Sequence, residues 1–480
     1  MATIQSALII DLDKSLITSD TLLDSASRCL SKNIFNIFKI FFWLIKGKSL
    51  LKYNLTKYYP IKGSELIYRT EILDFIKESK NKGKKVYLCS GSNKNQVKLV
   101  FEHLGLFVDY FGSSLNENLT GNNKKKFLEK KFGHKNFDYL GDSIVDIPIW
   151  RSCKKAYLVN VNSKVKSQLT KYNIGFNEIV KKDNFFQKLK NFFKVIRIYQ
   201  WIKNLLIFLP IFLAQELLLS NFIQATIAFI CFSFVSSFVY VMNDFLDIEN
   251  DRKHPNKKNR PIASGNIDFL PLIFTIFIML ILSLFFAYIT LNVLFLLILL
   301  FYILINFIYS SFIKKLFFLD VLTLSSFYTL RLVSGGFIND ISLSPWLISF
   351  SIFFFLYLAL IKRIGEVTNL LIIDKSIHGR SYNESMINKT KYISFCSSLF
   401  SIILLLMYFS SEKVLTLYNN IYIMMSICPL LILWKFKIFK AAMNNKMHDD
   451  PIIYIAKDKF SWVIFIFITF VIISQMKIWY

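Results

Sequence analysis

Residues 243–265 read NDFLDIENDRKHPNKKNRPIASG. They follow an apolar run, Phe222 to Val241, that is long enough to cross a bilayer. Asn243, Asp247 and Asp251 recur at i, i+4 and i+8. On a helix that spacing stacks them on one face, with Asp244 one position round. Carboxylates so close repel one another unless a cation lies between them. A hard divalent ion such as Mg²⁺ takes oxygen ligands and keeps a substrate phosphate in its shell. Lys257, Lys258 and Arg260 follow at once, with Pro255 and Pro261 as helix breakers around them. Acid followed by base at the mouth of a span predicts a site for a metal-bound diphosphate. A solvated loop anchored to anionic headgroups would need the same charge, but not aspartates on one face.

The stretch resembles the aspartate-rich signature NDxxDxxxD of the UbiA superfamily of intramembrane prenyltransferases. Its continuation, HPxKxxRPIASG, is similar to the polyprenyl-phosphate phosphoribosyltransferase branch. Working outward, Arg197 to Asn204 reads RIYQWIKN and resembles that branch's RPxQWxKN, with Ile198 in place of proline. An interfacial Trp with flanking cations would account for the same string. Downstream, Tyr309, Ser310, Lys314 and Asp320 match YSxxxKxxxxxD, Ser344-Pro345-Trp346 matches SPW, and Lys362-Arg363-Ile364-Gly365-Glu366 matches KRxxE. Asp320 and Arg331 fall inside an apolar stretch, where ionisable groups usually face an interior cavity. UbiA prenyltransferases typically carry a second aspartate motif, DxxxD, here. This chain has Asp320 but Leu324, which departs from the two-motif diphosphate clamp and agrees with the phosphoribosyltransferase branch.

The chain has 480 residues, 54% hydrophobic with 50 Phe, yet its net charge is +26. These facts conflict until the chain is divided. Apolar runs crowd the part after Asn204, and hydropathy gives about nine spans by length. They are centred near residues 213, 232, 279, 299, 326, 354, 401, 428 and 467, the first interrupted by Gln215 and Glu216. Most Lys and Arg of this part sit in loops 243–268, 309–316, 362–391 and 435–459. One orientation puts all four in the cytoplasm, so nucleic acid is not needed to explain the charge. The six cysteines are scattered without CxxC or metal spacing, so no disulfide framework is expected. The start, MATIQSALIIDLDKS, lacks the pattern of a signal peptide, so the first domain is expected to stay in the cytoplasm.

That first domain reads as α/β. An apolar run, Ser6 to Ile10, ends in Asp11-Leu12-Asp13-Lys14-Ser15. A strand that delivers two aspartates suits phosphoryl transfer: one carboxylate attacks phosphorus, the other gives a proton to the leaving oxygen. Val86 to Cys89 runs into Ser90-Gly91-Ser92, Lys124 follows Gly121 in a basic cluster, and Phe137 to Leu140 runs into Gly141-Asp142-Ser143-Ile144-Val145-Asp146. The DxD, Ser90 and the two later aspartates each follow an expected strand, where open α/β sheets place ligands. Together these resemble the haloacid dehalogenase (HAD) superfamily of phosphotransferases, over Ala7 to Asn162. The resemblance implies Asp11 as nucleophile, Asp13 as general acid/base, Ser90 on the phosphoryl oxygens and Lys124, ahead of Lys125 and Lys126, neutralising charge. It also implies Mg²⁺ on Asp11, Asp13, Asp142 and Asp146. The family's usual Gly-Thr after the second aspartate is here Lys14-Ser15. A catalytically silent HAD scaffold would keep the same fold.

The expected architecture is therefore a HAD-like domain, residues 1–162, with a helical cap over about 18–80. A linker, 163–196, joins it to an all-α membrane bundle of the UbiA type, 197–480. Within the cap, Phe35 to Ile45 is too short to span. It reads as a core helix or as an interfacial one. The resemblance implies a transferase that moves 5-phosphoribose from phosphoribosyl diphosphate to a polyprenyl phosphate. Mg²⁺ on Asn243, Asp244, Asp247 and Asp251 would bind the diphosphate. Gln200, Lys203, Asn204, Arg252, Lys257, Arg260, Tyr309, Lys314, Asp320, Arg331 and Lys362 would bind substrate. The rival is a prenyltransferase acting on a prenyl diphosphate and an aromatic acceptor.

Overall fold

Ala7–Ile10 is four aliphatic residues with no polar alternate, and it forms a strand, β1, buried on both faces. It lies at the middle of a six-stranded sheet completed by β2 (Lys85–Asn93), β3 (Tyr110–Ser113), β4 (Phe137–Gly141), β5 (Ala156–Val159) and β6 (Phe176–Val180). Every pairing is parallel, and the order is β3-β2-β1-β4-β5-β6. Alternate side chains feed two cores. Ala7 and Ile9 join Tyr139, Trp150 and Leu158, while Leu8 and Ile10 join Leu88, Val97, Ile72 and Ile76. Strand order reverses between β1 and β4, so a crevice opens at their carboxyl ends, the general ligand position of such sheets.

The computed structural model describes residues 7–115, 117–181, 184–254, 257–373, 387–444 and 451–477. Pro255, read above as a helix breaker, lies outside them, as do parts of the basic loops 362–391 and 435–459. The chain divides into two compact units, Met1–Ile196 with Tyr240–Ile273, and Arg197–Val239 with Phe274–Tyr480. The aspartate-rich stretch therefore groups with the unit that holds the sheet, against helix Thr21–Lys32, although the sequence assigns it to the membrane domain. Its charged residues find partners there, as described below.

The sheet domain also runs further than expected. The polar, lysine-rich composition of residues 163–196 predicts a linker. Ser163–Lys171 is instead a helix that buries Val165 and Leu169, and β6 pairs with β5 beyond it. In the cap region, helices Thr21–Lys32, Asn36–Ile45 and Lys48–Tyr58 share a small core of Cys29, Leu51 and Leu55. Helix Thr70–Asn81 is different: it packs Ile72 and Ile76 into the sheet core.

Among the described residues, seven helices are long and apolar enough to span: Leu219–Leu246, Phe269–Thr290, Val293–Ser311, Phe317–Ile338, Pro345–Thr368, Ile387–Phe409 and Ile421–Met443. The broken pair Phe185–Val195 and Ile198–Ala214 makes an eighth if counted as one span, and the apolar helix Lys459–Gln475 is shorter. A helix lies at each of the nine expected positions, and seven or eight of them are long enough to span. The break near residue 213 is real: Gln215, in the left-handed region at φ 61°, ends the helix Leu209–Ala214. Small residues permit close approach between membrane helices. A Cβ on Gly335 would collide with the Ile207 carbonyl oxygen, so the helix carrying Gly335 touches backbone there. The protein is an integral membrane protein.

Candidate active sites

The loop after β1 brings Asp11 to the crevice, where its N–H donates to the Leu140 carbonyl of β4 at 3.0 Å. Lys124, on helix Gly121–Phe132, is buried and places Nζ 2.7 Å from Asp11 Oδ1 and 2.7 Å from the Tyr139 hydroxyl. Its rivals point elsewhere: Lys125 pairs with Glu129, and Lys126 is exposed. Tyr139 donates to Asp146 Oδ1 at 2.9 Å, and Asp146 Oδ2 accepts from Ser143 N and the Ser143 hydroxyl. Carboxylate oxygens of Asp11, Asp142 and Asp146 all lie within 4.8 Å of one another. Burial, with Asp146 adding to it and Lys124 opposing it, pushes the Asp11 carboxyl up to about 7. Burial and the charges of Asp146 and Asp11 push Asp142 well above the usual carboxylate range. Three carboxylates crowded in this way, with only oxygen donors, fit a hard divalent cation.

Asp13 is held by four hydrogen bonds. Oδ1 accepts from Thr21 N and the Thr21 hydroxyl, both at 2.8 Å, and Oδ2 accepts from Ser90 Oγ at 3.1 Å and Ser92 Oγ at 2.6 Å. Ser90 is thus bonded to the second aspartate of the pair. Thr21 and Ser92 were missed in the sequence. Ser92 could have been flagged by its place in Ser90-Gly91-Ser92, whereas nothing local marks Thr21. Lys52 of the cap region was missed too, and its Nζ donates to the Gly91 carbonyl at 2.6 Å. Lys14 adopts φ 56°, the left-handed region that favours glycine, and its Nζ pairs with Asp268 at 2.8 Å.

In the aspartate-rich stretch the helix breaks at Asp247, but the bonds Asp247 N to Asn243 O (2.9 Å) and Asp251 N to Asp247 O (2.8 Å) carry the i, i+4 path through. Arg260 Nη1 bridges Asp244 Oδ1 at 2.9 Å and Asp251 Oδ2 at 2.7 Å. Burial raises the Asp251 carboxyl to about 6 against the pull of Arg260. Lys257 is half-buried nearby in sequence. Arg252 differs from expectation. Its Nε donates to the Ala263 carbonyl, and Nη1 and Nη2 both donate to Asp24. Those donors serve the packing of this stretch rather than a substrate phosphate.

Two more expected substrate residues are engaged within the membrane unit. Asp320 is fully buried and accepts from Arg363 Nε at 2.7 Å, Arg363 Nη2 at 2.8 Å and the Tyr309 hydroxyl at 2.7 Å. Arg331 donates to Asn204 Oδ1 at 2.6 Å, the Phe327 carbonyl at 2.5 Å and the Tyr302 hydroxyl at 3.2 Å. Asn204 Nδ2 in turn donates to Ser233 at 2.8 Å. A charge in an apolar span needs such partners, and Arg363, beside the nominated Lys362, supplies one of them. Gln200 differs: it is buried, and its Oε1 has no hydrogen-bond partner among the described residues. Lys203 lies 5.5 Å from the Tyr328 ring centroid, and Lys314 and Lys362 are half-buried.

The family model described as UbiA prenyltransferase family matches residues 205–446, half of the chain. The chain belongs to the UbiA prenyltransferase family. This UbiA member is similar along nearly all its length to the uncharacterized protein y4nM of Sinorhizobium fredii, with 32% identity over 95% of this chain and 88% of that protein. It is also 32% identical to the decaprenyl-phosphate phosphoribosyltransferase of Mycobacterium tuberculosis, over 36% of this chain and 59% of that enzyme. Its N-terminal part aligns with a solved phosphoserine phosphatase at 20% identity and TM-score 0.29, over 39% of this chain and 98% of that one.

Proposed function

We propose that the membrane part transfers 5-phosphoribose from phosphoribosyl diphosphate to a polyprenyl phosphate, and that the sheet domain then removes the 5-phosphate of the lipid product. Both reactions are assigned to the cytoplasmic face, following the bias of Lys and Arg among the loops. The likeness to decaprenyl-phosphate phosphoribosyltransferases supports the first step, as does Leu324 where a prenyl-diphosphate clamp would need an acid. In this reading a phosphate oxygen of the lipid attacks the anomeric carbon and diphosphate leaves. Asn243, Asp244, Asp247 and Asp251 would hold Mg²⁺, which would neutralise charge on the diphosphate leaving group. Gln200, Lys203, Lys257, Lys314 and Lys362 bind phosphate oxygens, and Arg260 joins them when it releases its carboxylates.

The observation that carries the second step is the Lys124–Asp11 pair at the strand-order reversal, 2.7 Å apart, with Asp13 held beside it. Asp11 attacks phosphorus as the ribose 5-oxygen leaves with a proton from Asp13. Water, giving its proton to Asp13, then cleaves the aspartyl phosphate to orthophosphate. Bound by Asp11, Asp142 and Asp146, with Asp13 nearby, Mg²⁺ would neutralise charge on the phosphoryl oxygens.

The test supplies the full chain with polyprenyl phosphate, labelled phosphoribosyl diphosphate and Mg²⁺, and weighs the lipid product by mass spectrometry. Wild type should accumulate polyprenyl-phosphoryl ribose, and Asp11→Asn should stop at its 5-phosphate. Identical products from both proteins would remove the second step. Transfer of a prenyl group to an aromatic acid instead would remove the first.

A further inference from the structure

Helix Asn36–Ile45, NIFKIFFWLI, is apolar on every side apart from Asn36 and Lys39. Ile40 and Trp43 face inward onto Cys29, Leu51 and Leu55. The other face is uncovered: Phe35, Phe38, Phe41 and Ile45 are 70%, 71%, 62% and 69% exposed. Spaced by three and four, they form one stripe. A helix that is hydrophobic all round belongs in a core or in lipid, and an exposed apolar patch of this kind marks a contact surface. The charge around it has one sign. No acidic residue occurs between Asp24 and Glu65, a stretch that holds Lys32, Lys39, Lys46, Lys48, Lys52 and Lys57. The Lys46 ammonium lies over the Phe42 ring, 4.3 Å from its centroid, so a cation sits directly beside the apolar stripe.

The bilayer is within reach of this helix. The preceding helix, Thr21–Lys32, is tied to the end of a span: the Ser27 hydroxyl donates to the Phe245 carbonyl at 2.5 Å, in the last turn of Leu219–Leu246. Arg28 continues the contact onto Glu249 at 2.9 Å. Phe245 in turn stacks on Phe269, the first residue of the next span, with ring centroids 4.3 Å apart. Asn36–Ile45 begins just beyond Lys32.

We infer that helix Asn36–Ile45 lies in the membrane interface, with its phenylalanine stripe in the acyl boundary and its lysines at anionic headgroups. Protein partners are disfavoured by the one-signed rim, which suits a surface of phosphates. The next helix carries Lys52 to the Gly91 carbonyl, beside Ser90 and Ser92. Under the phosphatase reading above, the insert therefore holds the Asp11 site where lipid-borne phosphomonoesters are presented.

The test places p-benzoylphenylalanine at Phe38 or Phe41 of the full chain, in vesicles of phosphatidylcholine and phosphatidylglycerol with a labelled acyl chain. Leu270, on the exposed side of a span, is the positive control, and Lys77, exposed on the sheet domain, the negative one. After irradiation, Phe38 and Phe41 should take up label at the level of Leu270, well above Lys77. Label at the Lys77 level, or a cross-link to a second copy, overturns the inference. A second arm compares wild type with a Phe38→Asp, Phe41→Asp protein on a water-soluble and a lipid-borne phosphomonoester. The variant should keep the first activity and lose most of the second, and equal losses on both would overturn the functional consequence. If wild type turns over neither, the phosphatase reading fails while the cross-link still decides the membrane contact.

Discussion

Arg252 grips Asp24 with both ends of its guanidinium, Nη1 to Oδ2 at 2.9 Å and Nη2 to Oδ1 at 3.0 Å, and both side chains are buried. Arg252 belongs to the aspartate-rich stretch. Asp24 lies one turn along the helix whose first residue, Thr21, holds Asp13. One ion pair therefore bears on both candidate sites. Breaking a buried pair by removing one charge costs about 3–5 kcal/mol. Asp24→Asn should lower the unfolding midpoint of the full chain, and transferase and phosphatase activities should fall together. A variant with an unchanged midpoint, or with only one activity reduced, would show that the pair is a local contact.

The four hydrogen bonds on Asp13 predict a more selective effect. Ser92 Oγ makes the shortest of them, 2.6 Å, from a buried position. A hydrogen bond to a charged group is worth about 1.5–3 kcal/mol, which is about ten- to a hundredfold in rate if it is felt wholly in the transition state. Ser92→Ala should lower phosphatase kcat within that range and leave transferase turnover unchanged. Ser92→Thr, which keeps the hydroxyl, should recover most of the loss. An unchanged kcat would show that Asp13 does not depend on this contact.

Much of this was legible in the sequence, for definite reasons. Buried parallel strands read as apolar runs, so Ala7–Ile10, and Phe137–Gly141 despite Asp138, announced both the sheet and the acids that follow it. Spans read the same way through length. The charged clusters were harder. Asp320, Arg331 and Arg252 look like ligand residues because each is ionisable in a suggestive place, and the sequence does not show which charge another side chain has already taken. Arg363 and Asp24 are those partners, one 43 residues from Asp320 and the other 228 from Arg252. The extent of the sheet domain was misread for a related reason. Phe176–Val180 is half-buried at a sheet edge, and its composition resembles the polar residues around it. Lys14 is the reverse case: a lysine whose backbone sits in the left-handed region that favours glycine, with Asp268 as partner.

The acidic crevice predicts a pH-dependent response to metal. Burial raises Asp11 to about 7 and Asp20 to about 6, and Asp13 adds to the effect on Asp20. In the unfolded chain both carboxyls return to about 3.9. Between about pH 4 and pH 7 the folded form therefore holds more protons than the unfolded form, so stability falls as pH rises through that window. A cation on Asp11, Asp142 and Asp146 favours the ionised carboxylates and offsets the loss. In chelator the melting temperature should drop as pH is raised across this window. Mg²⁺ should restore it, most strongly at the alkaline end. A Mg²⁺ effect that is absent, or largest at low pH, would rule out a metal on these carboxylates.

Asp320 separates two roles that a single activity assay would confuse. As a substrate ligand, its loss would raise the KM for phosphoribosyl diphosphate and leave the fold intact. The structure gives it other work: two contacts from Arg363 and one from Tyr309 hold it in the membrane unit, and Arg363 also donates to Glu366 at 2.6 Å. Asp320→Asn leaves the Arg363 guanidinium without its buried counter-charge, a change that costs about 3–5 kcal/mol in a site of this kind. The expected result is a lower melting temperature in detergent and a fall in kcat through loss of folded protein, with KM little changed in the fraction that remains. Tyr309→Phe, which removes one neutral donor, should show the same pattern at smaller size. If Asp320→Asn melts like wild type and raises KM, Asp320 faces substrate and the pairing with Arg363 is secondary.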